Sequence, residues 1–237
     1  MSSVDFVHLR MHSEFSLSDS LIRIKPLMKA LQAEQMPAIA LTDQSNMFGM
    51  IKFYKAAQAS GIKPICGCDI LLAPPEGTDL PVSRMTLLAM NGQGYLHLTE
   101  IVTLGFQHGQ QHGKAIIQRP WLRDRQAGLI ALSGANYGEI GRMLLVRGVE
   151  QAKPIVQDWL DLFGDRFYLE LQRTGRADDE RCVAQTVELA KAMQVPVVAT
   201  NDVMFISADE FEAHEARVSI NQSMTLDDPR RPKDYAA

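Results

Sequence analysis

"PAIALTD", residues 37–43, is a short apolar run closed by a threonine and an aspartate. A strand with one wet face alternates apolar and polar residues; a run apolar at every position suits a strand covered on both faces. Working outward, "IKPLMKALQAEQ" (24–35) carries apolar residues at helical spacing, and "MFGMIKFYKAAQASG" (47–61) does so again and stops at a glycine. A buried strand between two amphipathic helices is the unit of an α/β fold.

The rhythm continues in both directions. "FVHLRMH" (6–12), "IKPICGCDILLA" (62–73), "RMTLLAM" (84–90), "GLIALSG" (128–134), "RFYLELQ" (166–172) and "VPVVATND" (195–202) read as strands. Helices are predicted over 95–107, 138–148, 150–164, 178–194 and 208–222, and a loop over 108–120. Seven strands with helices after most of them predict a parallel sheet, open or closed as a barrel. No G-x-G-x-x-G or P-loop is present, which favours the barrel over a nucleotide-binding sheet. The expected domain spans 1–222. The tail "DDPRRPKDYAA" reads as part of a linker, 223–237, toward further domains.

Composition narrows the function. The 237 residues are 46% hydrophobic and 22% charged, with a formal net charge of −4, which gives no basic footprint for nucleic acid. Three cysteines, Cys66, Cys68 and Cys182, fit no disulfide framework and suit a reducing, cytoplasmic setting. No apolar stretch approaches the roughly 18 residues of a membrane span.

In parallel α/β barrels, chemistry gathers at the carboxyl ends of the strands. Here those ends carry His12-Ser13-Glu14, Thr42-Asp43-Gln44, Asp69, Ser133 with Glu139 soon after, Gln172-Arg173-Thr174, and Asn201-Asp202. Singly each has a plain explanation: a strand-end histidine is often a hydrogen-bonded structural residue, and Thr-Asp or Asn-Asp often caps a turn. Together they mark one polar rim.

The stretches "FVHLRMHSEFSLSDS", "IALTDQSNMFGMIKFY", "GIKPICGCDI", "GLIALSGANYGEIGR", "FYLELQRTG" and "VVATNDVMFI" resemble, in order, the polymerase and histidinol phosphatase (PHP) family. They most resemble the PHP domains at the N-terminus of bacterial replicative polymerase alpha subunits. The resemblance implies a distorted seven-stranded (β/α) barrel. Active members are similar in being phosphoesterases with clustered metal ions. Set against the family's metal-binding motifs, this chain keeps His12, Asp43 and Asp202 and has Asp69 for a glutamate. Arg10, Gln44, Arg84, Thr174 and Met204 stand where histidines are common. A permanent cation such as Arg10 can replace a lost metal by pairing with Asp43 or Asp202.

The resemblance therefore implies no catalytic residue and no bound metal in this chain; magnesium would serve only the polymerase domains elsewhere. It implies a scaffold for those domains and a docking site for a separate proofreading exonuclease subunit. DNA would be met only through the parent enzyme, and no membrane is involved. The loop 107–120 with Phe106 and Trp121, and the helix 208–222, are candidate docking surfaces. The alternatives are an active metal-dependent phosphoesterase or 3′-5′ exonuclease, and an unrelated barrel enzyme. His97 is expected packed in or at the surface of its amphipathic helix, and His214 at a helix surface or interface.

Overall fold

A computed structural model describes residues 6–74 and 80–230. The run that opened the sequence reading is β1 (Ala38–Leu41), buried at all four positions between α1 (Ile24–Ala33) and α2 (Met50–Ala59). After α2 come β2 (Lys63–Leu72), β3 (Ser83–Ala89) and α3 (Gly92–His108). A small hairpin follows, β4 (Gln110–Gln111) and β5 (Lys114–Ile117), then β6 (Leu129–Leu132), α4 (Glu139–Arg147) and α5 (Val149–Phe163). The chain continues through β7 (Phe167–Leu171), α6 (Asp179–Met193), β8 (Val197–Ala199) and α7 (Phe211–Asn221).

The strands form one sheet in the order β4-β5-β2-β3-β6-β7-β8, with β1 also on β2. It is mostly parallel, but β3 runs antiparallel to both β2 and β6. The expected all-parallel sheet fails here for a local reason. Residues 73–82 between β2 and β3 are too few for a crossover helix, and parallel neighbours need a connection of a dozen or more residues.

Residues 6–12, expected as a strand, are instead extended backbone pinned at isolated bridges. His8 pairs with Ile39 and Met11 with Val203. The His8 carbonyl accepts from Ala40 N–H at 2.8 Å, and His12 N–H donates to the Val203 carbonyl at 3.1 Å. Alternate residues thus serve different neighbours, and no ladder builds. These single bridges bring the two ends of the curved sheet together, so the sheet curls toward a barrel without a closing ladder.

The loop expected at 108–120 holds the β4–β5 hairpin. Its turn residues, His112 and Gly113, both have positive φ (50° and 77°), the backbone a two-residue hairpin needs. β5 then extends the sheet along the far end of β2. Trp121, just beyond, packs partly buried against the main core.

That core lies between the sheet and α3–α6, with Trp159 stacked on Phe167 at 6.4 Å. A second core joins α1, α2 and β1 through Leu27, Ile39 and Phe53. A third, smaller group on the inner face of the sheet contains Ala40, Leu88 and Leu132. Register carries that inner face on into polar residues. Asp69 opposes Thr86, Thr86 opposes Leu132, and Leu132 opposes Tyr168, two residues before Glu170.

Candidate functional site

The polar residues at the strand ends form a buried charge cluster. Arg10, 1% exposed, donates from Nε to Asp69 Oδ2 at 2.6 Å, and its Nη1 lies 3.2 Å from Asp202 Oδ1. His12 is fully buried and bridges two carboxylates: Nδ1 lies 3.0 Å from Asp19 Oδ2 and Nε2 lies 2.8 Å from Asp69 Oδ2. The Thr86 hydroxyl donates to the other oxygen of Asp69. Asp202 also receives Arg176 Nη2 at 2.9 Å.

Electrostatics follow from this packing. Burial disfavours the charged carboxylate of Asp69, but Arg10 and His12 outweigh it and hold the group well below the usual carboxylate range. For Asp202 the same burial is overcome by Arg10, Arg84 and Arg176. Burial also works against a charged His12, yet Asp19 and the hydrogen bonds to Asp19 and Asp69 push its pKa up to about 10. Glu170 lies nearby, taking the Gly134 N–H on one oxygen and the Thr200 hydroxyl on the other at 2.8 Å. Its desolvation is only partly offset by Arg10, and its pKa rises. Gly134 sits at φ 81°, and a Cβ there would meet the Arg84 carbonyl oxygen at 2.2 Å.

Of the two partners expected for Arg10, Asp202 is the one it meets; Asp43 takes other donors. Its Oδ1 accepts from Ser13 N–H at 2.6 Å and Ser16 Oγ at 2.8 Å, and the Ser13 hydroxyl reaches Oδ2 at 2.9 Å. The backbone makes this choice. The Ser13–Ser16 turn wraps over the end of β1 and presents its donors to the carboxylate first. Burial dominates, and the Asp43 pKa rises despite these hydrogen bonds.

The remaining expected positions take supporting places. Gln44, Arg84, Asp202 and Met204 line one cleft of about 340 Å³ together with Asp19, Lys114, Tyr137 and Arg176. Arg84 and Arg176 both lie over the Tyr137 ring, at 5.2 and 5.1 Å. Thr174 is bonded to Asp179 rather than to Asp69 or Asp202: its N–H and hydroxyl donate to Asp179, at 2.5 and 3.1 Å. Glu139 does not join the rim; it is buried against Arg119 and Trp159. His214, expected at a helix surface or interface, is fully buried beside the cleft, 5.3 Å from the Phe205 ring, because α7 leans over the opening. His97 is held by the Ala127 carbonyl at 2.8 Å.

Asp19, Glu170, Arg176 and Asp179 were missed as site residues. Asp19 and Arg176 lie in irregular segments with no periodic signal. Glu170, in the middle of "FYLEL", was the legible one, since a lone acid inside an apolar strand demands a partner.

These residues do not fit a divalent cation. Both nitrogens of His12 and both oxygens of Asp69 are engaged, the oxygens of Asp43 take serine donors, and Met204 offers only a thioether. Among the described residues, no group of three or more His, Cys, Asp or Glu is arranged to hold a metal ion.

An α/β fold with this polar rim defines a class, and residues 8–174 match the PHP domain family; the chain belongs to it. Within that family it matches bacterial DNA polymerase III subunit alpha. It is 53% identical to the protein of Pseudomonas aeruginosa over 234 residues, which is 99% of this chain and 20% of that one. Against Escherichia coli K12 the identity is 45% over 242 residues, covering 100% of this chain and 20% of the relative. The chain thus spans about one fifth of the length of these curated relatives. Among solved structures, an amidohydrolase from Chromobacterium violaceum with bound sulfate and no metal superposes with a TM-score of 0.53 at 13% identity, covering 89% of this chain and 96% of that one. A two-domain protein from Bacteroides vulgatus, described as containing a predicted PHP-like metal-dependent phosphoesterase, gives 0.52 at 12%, covering 87% and 55%. At such identities the likeness is one of fold.

Proposed function

We propose that this domain is a metal-free structural module of a replicative DNA polymerase alpha subunit, supporting the polymerase domains and docking the proofreading exonuclease subunit. The observation that carries the first part is the guanidinium of Arg10 between Asp69 and Asp202. Metal-assisted phosphoester hydrolysis needs a cation that lowers the pKa of bound water and neutralises the developing charge. Arg10 and His12 supply positive charge but neither open coordination positions nor an ionised water. Their role is to hold the strand ends together in place of metal ions. The docking half of the proposal rests on the resemblance to polymerase alpha subunits and on a physical advantage: tethering an exonuclease raises its local concentration at the primer end without any new catalytic contact.

The purified chain is expected to carry no stoichiometric zinc, manganese or iron by elemental analysis. Added Mn²⁺ or Zn²⁺ should leave its thermal midpoint unchanged and should produce no hydrolysis of model phosphoesters. A stoichiometric metal load, or hydrolysis lost on Asp43→Ala and Asp202→Ala, favours the active phosphoesterase instead. Docking is tested separately, by co-elution with the exonuclease subunit on size exclusion. Separate elution at low and moderate salt removes docking from these residues and leaves the metal-free reading standing.

A further inference from the structure

The net charge of −4 hides an uneven distribution. Residues 20–68 hold six Lys and Arg against two acids, Glu34 and the buried Asp43; the other residues hold 18 Lys and Arg against 26 Asp and Glu. Five of the six cations, Arg23, Lys25, Lys29, Lys52 and Lys55, lie on α2, on α1 or at the N-cap of α1, and all five are exposed.

The two helices run side by side in the same sense. Their starts meet at one acid: Glu14 lies 3.7 Å from both Arg23 Nε and Lys52 Nζ. Their ends meet where Gln32 Nε2 donates to the Ser60 carbonyl at 3.1 Å. Lys25 and Lys29 stand seven and three residues before Gln32, so they share the flank of α1 that turns toward α2. Lys55 stands one turn beyond Lys52 on α2. The four lysines therefore border one seam. Lys52 also lies 5.3 Å over the Phe15 ring and still is 60% exposed.

This arrangement works against the helices that carry it. Lys25 with Lys29, and Lys52 with Lys55, are like-charged pairs at i,i+4 and i,i+3, which destabilise a helix. Arg23, Lys25 and Lys52 stand at or within a first turn, where the helix dipole disfavours cations, and neither first turn contains an acid. Cations held at a cost to stability are accounted for by an anion that they meet.

We propose that the α1–α2 face binds the sugar-phosphate backbone of double-stranded DNA without reading its bases. Lysine is a point charge suited to phosphates and indifferent to sequence. Packed helix axes lie roughly 8–10 Å apart, between the widths of the two DNA grooves, about 6 and 12 Å, so each lysine row can follow one strand. A single strand fits less well, because stacking needs rings: α1 has no aromatic residue, and the exposed ring of α2, Tyr54, lines a separate groove with Pro64, Met90 and Tyr95. An acidic peptide also fits less well, since α1 exposes no large apolar side chain against which an anchor could bury. The choice of DNA rests on the place in a polymerase subunit proposed above; the seam itself depends on neither the metal nor the exonuclease.

The test is fluorescence anisotropy of a labelled duplex of about 30 base pairs, titrated with the 237-residue chain from about 50 to 200 mM salt. Binding should be micromolar at the lower salt, and log affinity should fall against log salt with a slope of about −4. Lys25→Glu/Lys29→Glu should weaken binding at least about tenfold and flatten the slope by about 2. Arg147→Glu/Lys191→Glu, exposed on α4 and α6 and equal in charge, should change affinity less than about twofold. Glu14→Gln, which frees Arg23 and Lys52 of their acid, should tighten binding. Unchanged thermal midpoints check that the variants fold. No saturable binding at low salt, an equal loss from Arg147→Glu/Lys191→Glu, or weaker binding by Glu14→Gln overturns the proposal. Tighter binding of oligothymidylate or of poly-glutamate also overturns it, the latter assigning the face to an acidic polypeptide. Metal content and exonuclease co-elution play no part in these measurements, so the DNA contact can fail while the metal-free reading stands.

Discussion

Asp69 and Asp43 are neighbours across one rim, both buried, and they are stabilised in opposite ways. Asp69 is met by charge: Arg10 and His12 hold it ionised far below its ordinary range. Asp43 is met by serine hydroxyls and a backbone N–H, and burial still lifts its pKa. The difference teaches that hydrogen-bond number alone does not decide ionisation in a dry site. A formal positive charge within contact distance outweighs desolvation, and neutral dipoles only soften it. The two halves of the rim should therefore respond differently to mutation and to pH.

The largest effect is expected from Arg10→Ala. It leaves two buried carboxylates, Asp69 and Asp202, without their shared cation. Removing one partner of a buried pair costs about 3 kcal/mol or more, to be read from the urea midpoint at neutral pH. An unchanged midpoint would mean that the pair contributes nothing to holding the strand ends.

The alkaline limb comes next. The folded pKa of His12 lies above its ordinary value of 6.5, at about 10. Its contribution is full below about pH 6.5 and is lost as pH rises through about 10. The thermal midpoint should fall across that window, and Asp19→Asn should flatten the fall. On the acid side, the depressed Asp69 contributes stability that is lost as pH drops below the ordinary carboxylate range. Asp43, with its raised pKa, opposes that trend. An alkaline fall that survives Asp19→Asn unaltered would place its origin outside this cluster.

The smallest effect should come from the hydroxyl side. Ser16→Ala removes one donor to Asp43 and the acceptor of the Gln44 N–H, and should cost about 1 kcal/mol by chemical denaturation. Its effect on the alkaline slope should be nil, since the hydroxyl carries no charge. A loss matching that of Arg10→Ala would erase the distinction between the two carboxylates.

Local spacing by itself determined much of this protein. Helical and strand periods follow from backbone geometry within a few residues, so β1, α2, α5 and β7 were legible as written. The polar strand ends and the intrusion of Arg10 among carboxylates were legible too, because a buried permanent cation must find an anion. Only the tertiary structure decided which anion. Arg10 and Asp69 are 59 residues apart in sequence, and their meeting depends on the β2–β3 register and on residues 8–12 pinned between distant strands. The same holds for the reversed β3, set by a connection too short for a crossover helix, and for the burial of His214, set by where α7 comes to rest. Asp19 and Arg176 entered the cluster through irregular segments whose course no periodicity describes. Pairings of this kind are selected by the packing of the whole sheet, and a stretch of sequence carries the charges without their partners.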